Sequence, residues 1–283
     1  MIVHLIIAHS YPSPNNLVRF IDLLKYENDL VYIHLDLKFD ITEFKICFAN
    51  YSNVRFVKNR AKVYWAAYSM VEATFNSFNE ILDEVIEFDY LNLLSAQDYS
   101  LKPIKLLHEF LNAHPGKAFM HSLDVNTEWT EAKSRVVQYH LTNFRFPGKY
   151  QLQNLINFIF PLRKVPGNMT VVGRSQWFTI TKKHAEYIVA TITNNPQLVR
   201  FFKLTWAPDE FIFQTILFNS IYKEDIVNNN LRFIDWSEGQ KNPKIFTSND
   251  INLLIESNQF FARKFDVNVN SKIFDLIDQK RNS

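Results

Sequence analysis

Apolar positions along the chain fall into short unbroken runs, separated by stretches with helical spacing. The first run, Ile2-Val3-His4-Leu5-Ile6-Ile7-Ala8, is rich in β-branched residues and stops at polar and proline positions, so it reads as a buried strand. Residues 30–35, Val54 to Val57 and Tyr90 to Leu94 read as three further strands. Between them, Leu17, Phe20, Ile21 and Leu24 share one face of an expected helix over Asn15 to Lys25. A long helix is expected over Ser69 to Glu87 and a shorter one over Ile104 to Leu111. Strand and helix in alternation predict an α/β fold with a mostly parallel central sheet flanked by helices. Ligands on such sheets gather beyond the carboxyl ends of the strands. That singles out His9, Asp36, Lys38 and the loop Ser95 to Asp98.

The second half is less regular. Thr170 to Val172 and Trp177 to Ile180 read as strands, and Lys183 to Ile192 as a helix. Pro208 precedes an expected helix over Asp209 to Asn219, and Phe260 to Phe265 opens a final helical or irregular tail. Tyr150 to Lys164 carries Leu152, Leu155, Ile156, Phe158, Ile159, Phe160 and Leu162. It reads as a helix packed on the core, with a helix lying on a membrane surface as the alternative. No repeat or flexible linker divides the chain, so 1–283 is expected to fold as one domain of two halves, 1–125 and 126–283.

Composition narrows the chemistry. Average usage would give roughly 20 glycines in a chain this long. Five are present, at 116, 148, 167, 173 and 239, and none are clustered. That excludes the dinucleotide-binding and Walker-A glycine fingerprints, so any nucleotide phosphate must be held by other means. Cys47 is alone, which excludes an intrachain disulfide and an all-cysteine metal site. A formal charge of +2 gives no argument for nucleic acid. The N-terminus has no basic segment ahead of its short apolar run, and no stretch reaches the length of a membrane span. A soluble cytoplasmic protein is the expectation.

Several constellations could carry chemistry. Ala207-Pro208-Asp209-Glu210 is either a capped helix start or a carboxylate held at the mouth of a site as a general base. Gly173-Arg174-Ser175-Gln176-Trp177 is either a turn into a strand or a wall that grips a polyol by stacking and hydrogen bonds. Ser95, Gln97 and Asp98 form either a ligand loop or one that satisfies its own backbone. Lys241, Lys244, Arg263 and Lys264 are either solvated surface charges or phosphate contacts. There is no D-x-D pair, no histidine ligand spacing and no nucleophile elbow.

Taken in order, these segments resemble the core-2/I-branching β-1,6-N-acetylglucosaminyltransferase family (glycosyltransferase family 14), which includes peptide O-xylosyltransferases. The first half contributes Ile7-Ala8-His9, Tyr32 to Lys38, Val57 to Arg60, Val63 to Ser69 and Asp89 to Tyr99. The second half contributes Gly173 to Phe178, Ala207 to Glu210 and Phe260 to Phe265, so the match spans residues 5–265. The resemblance implies a GT-A-type glycosyltransferase that inverts configuration, uses a UDP-sugar and needs no metal or other cofactor. It implies transfer of GlcNAc or xylose to a glycan hydroxyl, or to a lipid-linked glycan.

By position, Glu210 falls at the family's catalytic base. Lys264 and Lys241 fall at its diphosphate contacts, with Lys244 a competitor and Arg263 adjacent. His9, Asp36 and Trp65 fall where the donor nucleotide is expected. Ser95, Gln97, Asp98, Ser175, Gln176, Trp177 and Asp209 fall around the sugar, and Glu128, Lys133 and Arg135 in the acceptor region. The first half is then the nucleotide-sugar half and the second the acceptor and catalytic half. Arg174 stands where a small residue is usual, and Ala96 where glycine is common. The cysteines and anchor of secretory members are absent, as expected of a bacterial cytoplasmic relative. A non-catalytic UDP- or glycan-binding protein on the same fold remains the alternative, as does a peptide O-xylosyltransferase-like enzyme.

Overall fold

The computed structural model describes residues 1–9, 13–85, 87–240 and 242–281. Its strands in chain order are β1 (Ile2–Ala8), β2 (Leu30–Leu35), β3 (Val54–Phe56), β4 (Tyr90–Ser95), β5 (Tyr99–Ser100) and β6 (Ala118–Phe119). They continue with β7 (Leu123–Asp124), β8 (Val172–Gly173), β9 (Phe178–Thr181), β10 (Ile226–Val227), β11 (Arg232–Ile234) and β12 (Phe261–Arg263). Among the described residues the main sheet has seven strands in the order β10-β6-β9-β4-β1-β2-β3. The pairs of β1 with β2 and β4, and of β2 with β3, are parallel, as expected from the alternating pattern. The second half adds the antiparallel strand β9 beside β4 and the edge strand β10, with β6 of the first half between them. Both halves therefore build one sheet.

Strand β1 shows why the core divides in two. Successive side chains of a strand point to opposite faces. Val3, Leu5 and Ile7 enter a cluster with Phe78, Phe178 and Phe213 under helices Ser69–Glu84 and Ile212–Phe218. Ile2, Ile6 and Ala8 enter the opposite cluster with Phe20, Tyr99 and Phe261 under helices Pro14–Asp22 and Ile104–Ala113. A sheet covered on both faces has strands that are apolar throughout, which is what the first run shows.

Three expectations are corrected. Phe260 to Phe265 does not open a helical tail, because Phe261–Arg263 pairs with β11 and β5 in a second, three-stranded sheet. The final helix comes later, over Lys272–Arg281. The helix expected over Asp209 to Asn219 is split into a single tight turn at Pro208–Glu210 and a buried helix at Ile212–Phe218. Phe211, at φ −129° and ψ −46°, leaves helical geometry between them. The segment expected to pack on the core does not. Helix Lys149–Ile159 has no buried residue, and Phe158 is 88% exposed. Among the described residues no helix is long and apolar enough to cross a membrane.

Candidate active site

A cleft of about 970 Å³ opens beyond the carboxyl ends of β1 and β4. Its walls include His9 after β1, Gln97 after β4, Arg232 on β11, and Arg263 and Lys264 at the end of β12. The loop between β8 and β9 adds Ser175, Gln176 and Trp177, and the Pro208–Glu210 turn adds Asp209 and Glu210. Motifs far apart in the chain thus meet at one opening.

The carboxylate turn is clamped from both sides. Ala207 adopts a left-handed backbone at φ +48°, and its N–H donates to the carbonyl of Ala66 at 3.0 Å. Proline at the next position sets the tight turn. On the other side the N–H of Arg174 donates to the Glu210 carbonyl at 3.2 Å. That approach leaves no room for a side chain at Gly173, where a Cβ would stand 2.0 Å from the same carbonyl oxygen. The glycine of this motif is required by the close approach of the Pro208–Glu210 turn.

The Glu210 carboxylate accepts a hydrogen bond at Oε2 from Arg135 Nη2 at 2.5 Å. Among the described residues its Oε1 has no donor. The Arg135 guanidinium is fixed by three aromatic rings, 4.9 Å from Trp129, 4.5 Å from Trp206 and 4.8 Å from Phe211. A planar cation held between ring faces has little freedom to leave its partner. Beside it, burial and then the charge of Glu210 push the Asp209 carboxyl up to about 7. Asp209 Oδ1 and Gln176 Nε2 line the cleft, are buried and have no hydrogen-bond partner among the described residues. Unpaired buried polar atoms at an opening are suited to a polar ligand such as a sugar.

Positive charge gathers at another part of the cleft. Arg263 lies over Trp177 at 4.3 Å, with Asp98 Oδ1 3.5 Å from its Nε. The half-buried Lys264 ammonium is lowered by burial and by Arg263. Burial and then the charges of Arg263 and Lys264 hold the His9 imidazole at about 4, so it stays neutral near pH 7. Arg232 forms part of the floor, where it donates to Asn92 Oδ1 and to the carbonyls of Leu93 and Phe178. Desolvation pulls its guanidinium down to about 9.

Other expected site residues sit elsewhere. Ser95 and Asp98 do not line the cleft, because they close their own loop. The Ser95 N–H donates to Asp98 Oδ2 at 2.9 Å and the Gln97 N–H to Ser95 Oγ at 3.1 Å. Asp98 acts behind the wall, on Arg263. Lys244 is also outside the lining, paired with Asp250 at 2.7 Å. Lys241 lies outside the described residues. Asp36 is buried at the end of β2, accepts from the Lys38 N–H and is absent from the lining. Glu128 accepts from the Asp124 N–H, and neither it nor Lys133 reaches the opening. Trp65 does reach it, edge-on to Trp206 at 5.1 Å.

Sequence reading missed His121, Trp206, Arg232 and Trp236, all of which line the cleft. Trp206 directly precedes the Ala-Pro-Asp-Glu run, so its position was a usable signal. Arg232 and Trp236 stand in a stretch without periodicity and offered none.

A carboxylate on a clamped turn, a cluster of cations and open polar atoms line one cleft, an arrangement suited to a polar, anionic ligand. The chain matches the sequence profile described as "Core-2/I-Branching enzyme" over residues 2–256, and it belongs to that family. Among curated relatives it is 27% identical to xylosyltransferase 2 of Homo sapiens and 25% identical to xylosyltransferase 1 of Rattus norvegicus. Those alignments take in 98% of this chain but 33% and 35% of the relatives, so the chain spans about a third of their length. Among solved structures, mouse xyloside xylosyltransferase 1 in its apo form aligns with 93% of this chain and 97% of that one, at a TM-score of 0.45 and 12% identity. Residues 1–349 of S. aureus TarS, in complex with UDP-GlcNAc, align with 44% of this chain and 34% of that one, at a TM-score of 0.31 and 13% identity.

Proposed function

We propose that this protein transfers a sugar, xylose or GlcNAc, from a UDP-sugar to a glycan hydroxyl with inversion, Glu210 acting as general base. The names of the curated relatives favour xylose. The observation that carries the reading is the single cleft shared by Glu210 and the cations Arg263 and Lys264. The acceptor oxygen gives its proton to Oε1 of Glu210 and attacks the anomeric carbon. The bond to UDP breaks on the opposite face, and an α-linked donor gives a β-linked product. Arg135 holds Glu210 in place through Oε2. Arg263 and Lys264 take up the charge that grows on the departing diphosphate, which is the reason to expect activity without a divalent cation. Among the described residues no group of three or more His, Cys, Asp or Glu is placed to hold a metal ion.

Replacing Glu210 with Gln tests the reading. General-base help is worth roughly 10²–10⁴-fold, so transfer should fall by that amount while UDP still raises thermal stability. Near-normal turnover by that variant removes Glu210 as base. Activity abolished by EDTA and restored by Mn²⁺ removes the lysine-and-arginine account of the leaving group. UDP binding without turnover across a panel of UDP-sugars and acceptors favours the non-catalytic alternative.

We further propose a peripheral contact with a membrane face, on the cytoplasmic side. Tyr150, Leu155, Phe158, Ile159, Phe160 and Leu162 are exposed on and after helix Lys149–Ile159. From Ala132 to Ala185 the chain has nine Lys and Arg and no Asp or Glu. Exposed apolar residues amid positive charge suit the interface of an anionic bilayer. Co-sedimentation with phosphatidylglycerol vesicles, weakened by Phe158→Glu, is the expected result. Absence of binding, or a dimer that Phe158→Glu dissociates, removes the membrane contact.

A further inference from the structure

A second cleft, of about 1040 Å³, opens beside the donor cleft and shares Trp65, Ala66, Arg135 and Trp206 with it. Its walls contain three cations of their own, Lys38, Arg145 and Lys149, and no Asp or Glu. Lys38 spends part of its charge on Asp36 at 3.1 Å. Arg145 and Lys149 have no carboxylate partner among the described residues. The Arg145 guanidinium is instead held 3.0 Å from the centre of the Tyr64 ring, and Lys38 lies 5.1 Å from the same ring. Arg145 therefore stays at the wall although nothing acidic retains it. The hydroxyl of Thr142 also lines this cleft, buried and without a hydrogen-bond partner.

We infer that this cleft is the acceptor subsite, and that the acceptor is an anionic glycan whose carboxylate or phosphate is seated between Arg145 and Lys149. The inference rests on the transferase reading for its geometry, because the shared Trp65 and Arg135 lead from this cleft to Glu210. Charge decides the class of acceptor. A neutral glycan would leave unpaired cations beside the aromatic walls, whereas an acidic one pairs with them through charge-assisted hydrogen bonds. The exposed Trp65 ring offers a face on which a sugar can stack.

Titration calorimetry with three oligosaccharide probes tests this: tetragalacturonate for carboxylate, a glycerol phosphate tetramer for phosphate, and cellotetraose as the neutral control. A hydrogen bond to a charged group contributes about 1.5–3 kcal/mol, roughly ten- to a hundredfold in affinity. At least one anionic probe should bind tenfold or more above cellotetraose and weaken at high salt. Which of the two does so separates a uronate from a phosphate glycan. Arg145→Ala with Lys149→Ala should remove the preference, and Arg145→Lys with Lys149→Arg should restore most of it. A thermal shift with UDP checks that each variant is folded. Equal binding of all three probes overturns the inference, as does a preference that survives the double alanine variant. So does tighter binding of a polyglutamate peptide than of either anionic glycan. Transfer to neutral and anionic acceptors with equal KM would sink this inference and leave the transferase reading standing. Anionic binding without any sugar transfer would do the reverse.

Discussion

Substituting Gly173 with Ala is the sharpest test of how the Pro208–Glu210 turn is held. The added Cβ would lie 2.0 Å from the carbonyl oxygen of Glu210 and 3.0 Å from its carbonyl carbon, where ordinary contact begins near 3.4 Å. The obstacle is backbone, so it cannot rotate away as a side-chain tip would. Either β8 or the Pro208–Glu210 turn must move by about 1 Å, breaking the Arg174 N–H bond to that carbonyl. A misplacement of that size at a reacting group costs about 10²-fold in rate. The overpacking should cost about 1–3 kcal/mol of stability, which lowers Tm by several degrees in a chain of this length. Arg263 and Lys264, the cations proposed to hold the diphosphate, are not part of the clash, so UDP binding should persist. The assay is kcat at saturating donor, alongside a UDP-induced thermal shift. Turnover within twofold of the parent protein would refute the claim that Gly173 is fixed by the approach of Glu210.

Arg135→Lys keeps the charge but loses the flat face that fits among Trp129, Trp206 and Phe211. Transfer should fall about tenfold or more at unchanged UDP affinity, and a wild-type rate would show that Glu210 needs no such partner. Acid stability follows from the buried imidazoles. Burial holds His9, His34 and His121 at about 4 in the folded protein, below the 6.5 of an open imidazole. Between those pH values the unfolded chain binds more protons, so stability is present above 6.5 and is lost as pH falls towards 4. Asp209 acts with opposite sign, because its raised carboxyl holds a proton in the fold and its contribution declines as pH rises to about 7. Burial also lowers His4, His140 and His184 and raises Asp98, so lowered imidazoles outnumber raised carboxyls, and the urea midpoint should drop on acidification from pH 6.5 to 4.5, less so in His121→Asn. A flat midpoint over that range would show that these imidazoles are accessible to protons in the folded protein.

The donor side of the site was legible because each of its parts is local. An apolar run such as β1 or β4 announces a buried strand, and the residue just beyond it must lie at the sheet's carboxyl edge, which is how His9 and Gln97 come to the cleft. Ser95 and Asp98 obey the same rule yet turn inward, because short oxygen-bearing side chains after a strand also serve their own backbone. Helical spacing says only that one face is apolar, not what covers it. Leu152, Leu155 and Phe158 therefore carried the same pattern as a core helix although the fold leaves them uncovered. Phe260 to Phe265 failed for another reason. A three-residue apolar run fits a strand or a helix turn equally, and its partners Arg232 and Tyr99 lie far away in sequence. The second cleft inherits that difficulty in full. Lys38, Tyr64, Arg145 and Trp206 come from four separate segments, and only the fold brings their side chains to one opening. Local motifs thus report the part of the cleft built at strand ends. The second cleft depends on how loops from different strands meet, and there the charge of Arg145 and Lys149, unpaired by any carboxylate among the described residues, is what carries the proposal of an anionic acceptor.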